Sequence, residues 1–159
     1  MRKLRAFTLV ELILVVSILG ILAALVIPRF SGAADVARFN AAHTELHTLR
    51  TQIQAWQADH RSRYPTLADL QQGDSDWAVM MGKTDADGTL SPTGPFGPYI
   101  VTAPVNDFTN SSLVVEAGSP VETAGWTYDE DTGTLRLILP VGVDLVDQVE
   151  LAPDDYERP

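Results

Sequence analysis

The stretch FTLVELILVVSILGILAALVI, residues 7–27, contains one charged residue, Glu11, and its only other interruptions are Thr8, Ser17 and Gly20. As an α-helix rising about 1.5 Å per residue it would reach roughly 32 Å, the thickness of a bilayer hydrocarbon core. Leu, Ile, Val and Ala fall on every side, so no polar face suits the surface of a soluble domain. Arg2, Lys3 and Arg5 precede the run. The positive-inside rule places them on the cytoplasmic side and the rest of the chain outside. Residues 7–27 therefore read as a transmembrane helix. Glu11 is the discordant residue, because a carboxylate well inside an apolar run costs several kcal/mol unless it is paired or protonated. Either it snorkels outward near the membrane face, or it awaits a positive partner.

Charge is divided along the chain. Residues 1–40 carry a net +3 (Arg2, Lys3, Arg5, Arg29 and Arg38 against Glu11 and Asp35), and with −10 overall the remainder holds −13. A part this acidic cannot neutralise phosphates, which argues against nucleic acid as a partner. It suits solubility, a cationic partner or divalent cations. The absence of cysteine excludes a disulfide framework, thiol catalysis and thiolate metal sites.

Arg2-Lys3-Leu4-Arg5-Ala6 followed by Phe7-Thr8-Leu9-Val10-Glu11 resembles the signal of type IV pilins and type II secretion pseudopilins. That resemblance implies cleavage by a prepilin peptidase between Ala6 and Phe7 and N-methylation of Phe7. It also implies that Glu11 neutralises the Phe7 amine of an adjacent subunit during assembly, which would supply the missing partner. Ala6 departs from the pattern, where Gly usually precedes the cut. Two other readings of the N-terminus stand beside this one. Gly32-Ala33-Ala34 resembles a secretory cleavage site that would release a soluble protein starting near Asp35. Against it, the apolar run exceeds the ~7–15 residues of an ordinary signal core and encloses Glu11. An uncleaved single-span anchor is the other.

Beyond the apolar run, Pro28 predicts a kink. Phe39, Leu46 and Ile53, then Ala42, Leu49 and Trp56, recur at heptad spacing. This is an amphipathic stripe, with Arg38, Glu45, Arg50, Gln52 and Asp59 filling much of the other surface. The expectation is one long kinked helix from about Phe7 to His60, its second half packed on a head. His43 and His47 lie one turn apart around Glu45. The order His-Thr-Glu-Leu-His is not His-Glu-x-x-His, so they read as surface histidines.

Tyr64-Pro65 breaks the helix, and Thr66 with Asp69 three residues on predicts a capped start for a short second helix. The major pseudopilins have a similar Tyr-Pro at the end of the long helix. Residues 73–112, rich in Gly, Pro, Asp, Ser and Thr, read as loop. Within them Gly97-Pro98-Tyr99-Ile100 and Pro104-Val105-Asn106 resemble a structured loop of pseudopilin-like heads. Leu113–Glu116 predicts a strand, and Trp126–Asp129 with Thr134–Leu139 predicts a hairpin about the Glu130–Gly133 turn. Gly125-Trp126-Thr127-Tyr128-Asp129 through Gly133 resembles the C-terminal hairpin of the same heads. The last twenty residues read as a poorly ordered acidic tail.

The predicted architecture is α+β, a pilin fold: a long N-terminal transmembrane-to-amphipathic helix on a small antiparallel sheet. Its organisation is a leader (1–6), a spanning or filament-core helix (7–27), its amphipathic continuation (28–63), a loop-rich head (64–139) and the tail (140–159). Asp85-Ala86-Asp87-Gly88-Thr89 begins like an oxygen-ligand loop. Leu90 and Phe96 stand where an EF-hand needs Gly and Glu, so only Asp85 and Asp87 remain as calcium candidates; no other cofactor is indicated. No Ser/His/Asp order, phosphate loop or metal triad suggests an enzyme.

The resemblance implies a structural subunit of a type II secretion pseudopilus. Its partners would be copies of itself, the prepilin peptidase, other pseudopilins, the inner-membrane secretion platform and the membrane. It would sit as a single-pass protein in a bacterial inner membrane with a periplasmic head, and then in the pseudopilus. The alternatives are a type IV pilus subunit and a membrane-anchored binding module that does not polymerise.

Overall fold

A computed structural model describes residues 7–72, 76–143, 152 and 154–159, without the side chains of residues 24–34. The chain forms two units, Met1–Ala37 and Arg38–Pro159. Helix α1 runs Leu9–Asp59, so the expected long helix forms. In the first unit its apolar side chains from Leu9 to Leu22 stand exposed. Ser17 Oγ donates to the Ile13 carbonyl at 2.8 Å, which satisfies the hydroxyl within the helix. Among the described residues no helix is long and apolar enough to cross a membrane. The end of the apolar run, residues 24–27, lies among the side chains not described.

In the second unit all six heptad positions of α1, Phe39, Ala42, Leu46, Leu49, Ile53 and Trp56, are buried. The spacing predicted this face because residues three and four apart share one side of a helix. The helix ends on left-handed Arg61 and Ser62, with the Ser62 N–H donating to the Gln57 carbonyl at 3.0 Å. That bond satisfies a carbonyl the helix would otherwise leave open. Helix α2, Leu67–Leu70, starts with the predicted capping box between Thr66 and Asp69. A third short helix, α3 (Ala78–Met81), lies within the stretch read as loop.

Four strands follow: β1 (Val114–Glu116), β2 (Trp126–Asp129), β3 (Thr134–Ile138) and β4 (Tyr156–Glu157), side by side in that order. The hairpin β2–β3 is antiparallel, with Trp126 opposite Leu137 and Tyr128 opposite Leu135. The sheet as a whole is mixed rather than antiparallel, since β1 runs parallel to β2 and β3 parallel to β4. A strand's side-chain alternation is the same whichever way its neighbour runs, so the pattern could not give direction. Trp126, Tyr128, Leu135 and Leu137 are buried with the α1 stripe, and Trp77 meets Trp126 edge to face at 6.4 Å.

Gly133, at φ 68°, closes the hairpin where a Cβ would sit 2.3 Å from the Tyr64 ring, so both backbone and space demand glycine. The outward backbone of β1 is blunted: Val114 N–H donates to Asp76 Oδ2 and its carbonyl accepts from Gln71 Nε2. Asn106 is fully buried, and its Nδ2 donates to the carbonyls of Gly125 and Ile138 while its Oδ1 accepts from Phe108 N–H. One side chain thus ties the long loop to β3 and to the residue preceding β2. Tyr99 and Ile100 of that loop are half-buried, and both amides donate to the Met80 carbonyl.

The acidic tail is the main departure. Residues 144–151 and 153 lie outside the described residues, but Tyr156 and Glu157 form β4 and Asp155 is only 7% exposed. Arg50, read as part of the helix's outer surface, is turned to the sheet edge. Its Nε and Nη2 donate to the Leu135 carbonyl at 2.9 and 2.7 Å, and its Nη1 to Asp155 Oδ1 at 2.8 Å. His43, read as a surface histidine, lies 3.0 Å from Asp155 Oδ2.

Candidate assembly site at the helix N-terminus

The residues singled out at the N-terminus fall into one turn. Phe7 is 85% exposed and directly precedes Thr8, the residue before the helix start. Thr8 and Glu11 form a reciprocal cap. The Thr8 N–H and hydroxyl both donate to Glu11 Oε2, at 2.9 and 3.0 Å, and Glu11 N–H donates to Thr8 Oγ1 at 3.2 Å. The carboxylate is therefore turned back along the helix toward Phe7 and lies near the positive end of the helix dipole. A Phe7 amine freed by cleavage would emerge one residue before this cap. Ala6 and the basic residues Arg2, Lys3 and Arg5 lie outside the described residues.

Thr8 is the residue that reading the stretch as an apolar run missed. The signal was present: Thr8 and Glu11 have the Ser/Thr-x-x-Glu spacing of a capping box. Around the cap, Leu9, Val10, Leu12, Ile13 and Leu14 are exposed, an apolar surface with one carboxylate at its start. In water such a surface associates; in lipid or against other apolar helices it is at home.

The two calcium candidates share a turn. Asp85 Oδ1 accepts from the amides of Asp87 and Thr89 at 3.0 and 3.1 Å, and Asp87 Oδ1 pairs with Arg61 at 3.2 Å. Protein donors thus already engage one oxygen of each carboxylate. Among the described residues no group of three or more His, Asp or Glu could hold a metal ion. The histidines also make ring contacts: His43 meets His47 edge to face at 4.4 Å, and buried His60 stacks on Trp56 at 3.9 Å. The His60 Nδ1–H donates to the Trp56 carbonyl at 2.7 Å, and Nε2 lies 2.9 Å from Thr84 Oγ1.

Residues 1–27 match the family profile described as a prokaryotic N-terminal methylation motif, the class of N-terminus found in prepilin-like chains. More particularly, the chain is similar to type II secretion system core protein G. It is 40% identical to that of Dickeya chrysanthemi over 65 residues, 41% of this chain and 42% of the relative. It is 38% identical to that of Klebsiella pneumoniae over 66 residues, 42% of this chain and 46% of the relative. The protein of Vibrio cholerae is 41% identical over 66 residues, 42% of this chain and 44% of the relative. The matched stretch thus spans less than half of each relative. No solved structure matches the chain.

Proposed function

We propose that this chain is a structural, non-catalytic subunit of a filament of the type II secretion pseudopilus kind. Residues 1–6 are its leader, a prepilin peptidase cuts between Ala6 and Phe7, and Phe7 is N-methylated. The apolar start of α1 holds the subunit in a bacterial inner membrane with the head on the periplasmic side, and then forms the filament centre against other copies. Other pseudopilins and the inner-membrane secretion platform are the further partners.

One observation carries the reading: a lone carboxylate, Glu11, aimed toward Phe7 on a helix whose remaining described side chains up to Leu22 are almost all apolar and exposed. The match of residues 1–27 and the similarity to core protein G support it. In the isolated subunit Thr8 satisfies Glu11. In the filament the Phe7 ammonium of a neighbour adds an ion pair in a medium where an unpaired charge is expensive, so a wrong stagger is penalised. The acidic turn at Asp85 and Asp87 is self-contained in this reading.

The deciding experiment co-expresses the full chain with a prepilin peptidase and reads the mature N-terminus by mass spectrometry, followed by in-cell cross-linking. N-methylated Phe7 together with a ladder of homo-oligomers is the expected result. A start near Asp35, or a cleaved chain that stays monomeric, overturns it. A longer surface fibre rather than a periplasmic one would assign the subunit to a type IV pilus.

A further inference from the structure

The last described residues are held to the head in an unusual way. Strand β4 is two residues long and pairs with β3 in parallel; the bonds at its ends include Leu137 N–H to the Asp155 carbonyl at 2.9 Å and Leu139 N–H to the Glu157 carbonyl at 3.0 Å. No apolar side chain of residues 154–159 is buried; Tyr156 is half-buried and Asp155 is the only buried residue among them. The hold is polar and centred on charge. Asp155 bridges Arg50 and His43 on α1, the Asp154 carbonyl accepts from Arg50 Nη2 at 2.6 Å, and Glu157 accepts from Arg136 at 3.1 Å and from Gly118 N–H at 3.0 Å. Beneath it, Leu135, Leu137, Ile138 and Leu139 are fully buried and belong to the core.

A segment whose apolar contribution is limited to one half-buried ring, Tyr156, carries little of the term that makes a core element unfold only with everything else. We infer that residues 154–159 form an electrostatic strap over the β3 edge, one that opens and recloses while β1, β2 and β3 stay folded. Open, it bares the amides of Leu137 and Leu139 as a short unpaired strand edge. Closed, its most buried fastening is the Asp155 carboxylate, with the Glu157 contacts beside it. That carboxylate faces Arg50 and His43 of α1, with His47 against the His43 ring, Asp154 on its own segment, and the Arg136–Glu157 pair alongside. Sub-Debye distances make such pairs sensitive to salt in proportion to their exposure.

The sheet supplies its own control. Ile138 N–H points the other way, to the Gly125 carbonyl at 3.0 Å, between two amides that face the strap. Residue-resolved hydrogen exchange on the full chain in detergent micelles reads all three. Leu137 and Leu139 should exchange at least about tenfold faster than Ile138, with a shallower dependence on urea, as for a local opening. Asp155→Asn should speed Leu137 and Leu139 about tenfold more and leave Ile138 within about twofold, because a bridged charge is lost without touching the apolar core. Arg50→Lys, which keeps the charge but loses the forked geometry, should fall between. If Leu137, Ile138 and Leu139 exchange at one rate with one urea slope, the strap opens only by global unfolding and the inference fails. It fails equally if Asp155→Asn accelerates Ile138 as much as its neighbours.

Discussion

Replacing Asn106 by Ala removes a buried side chain that ties the long loop to β3 and to the residue preceding β2. Three bonds go: Nδ2 to the Gly125 carbonyl at 2.9 Å, Nδ2 to the Ile138 carbonyl at 2.7 Å, and Phe108 N–H to Oδ1 at 2.8 Å. Each intramolecular bond is worth about 1 kcal/mol net, and a buried group left without a partner costs about 1–3 kcal/mol. The Gly125 carbonyl keeps the Ile138 N–H as a donor at 3.0 Å, so its loss is at the low end. The sum is a destabilisation of about 3–5 kcal/mol, a large part of the roughly 5–15 kcal/mol that holds a typical domain. Trp56, Trp77 and Trp126 are all buried, so tryptophan fluorescence in urea, on the full chain in micelles, follows the transition. Asn106→Asp discriminates further. At neutral pH it presents a carboxylate to two carbonyls and should be at least as unstable as the Ala variant. Protonated, it regains one donor, so its deficit relative to wild type should shrink on acidification. An Asn106→Ala variant within about 0.5 kcal/mol of wild type, the range of ordinary surface changes, would refute the keystone role.

Glu11→Ala should leave cleavage and head stability intact while abolishing the cross-linked ladder; a normal ladder removes Glu11 from assembly. Gly133→Ala should cost about 1–3 kcal/mol by urea denaturation, from the left-handed backbone strain and the Tyr64 ring in its path, and Tyr64→Ala should recover part of the loss. Burial pushes the Asp155 carboxyl up, but the hydrogen bonds from Arg50 and His43, with their charges, outweigh it and hold it below the ordinary carboxylate range. Its contribution is therefore present above the unfolded value near pH 4 and lost as pH falls through the lower folded value. Wild type should lose more stability than Asp155→Asn across that acid window, and parallel curves would contradict this. Asp85→Ala should cost about 1 kcal/mol, as for a lost side-chain bond to backbone, equally with calcium or with chelator. A loss seen only with calcium present would instead make the turn a metal site.

Much of this protein was legible because its physics is local. The apolar run, the Phe7–Glu11 signal, the buried α1 stripe, the Thr66–Asp69 cap and the β2–β3 hairpin each depend on residues within a turn or two of one another. Periodicity and capping chemistry report such features directly. Even the Thr8–Glu11 cap was written in the spacing, though hidden within what reads as a continuous apolar segment.

The remainder depended on distance along the chain. Arg50 and Asp155 are 105 residues apart, and nothing in the acidic C-terminal stretch marks out Asp155 as a carboxylate that is buried and paired. The parallel pairing of β1 with β2 and of β4 with β3 ran against the expected antiparallel sheet, since alternation sets which face a strand buries and not which way its neighbour runs. In the sequence Asn106 is one residue of a loop, and only the fold brings the Gly125 and Ile138 carbonyls to its amide. Local patterning chose the elements, and the meeting of remote polar groups at the sheet edge decided how the head is closed.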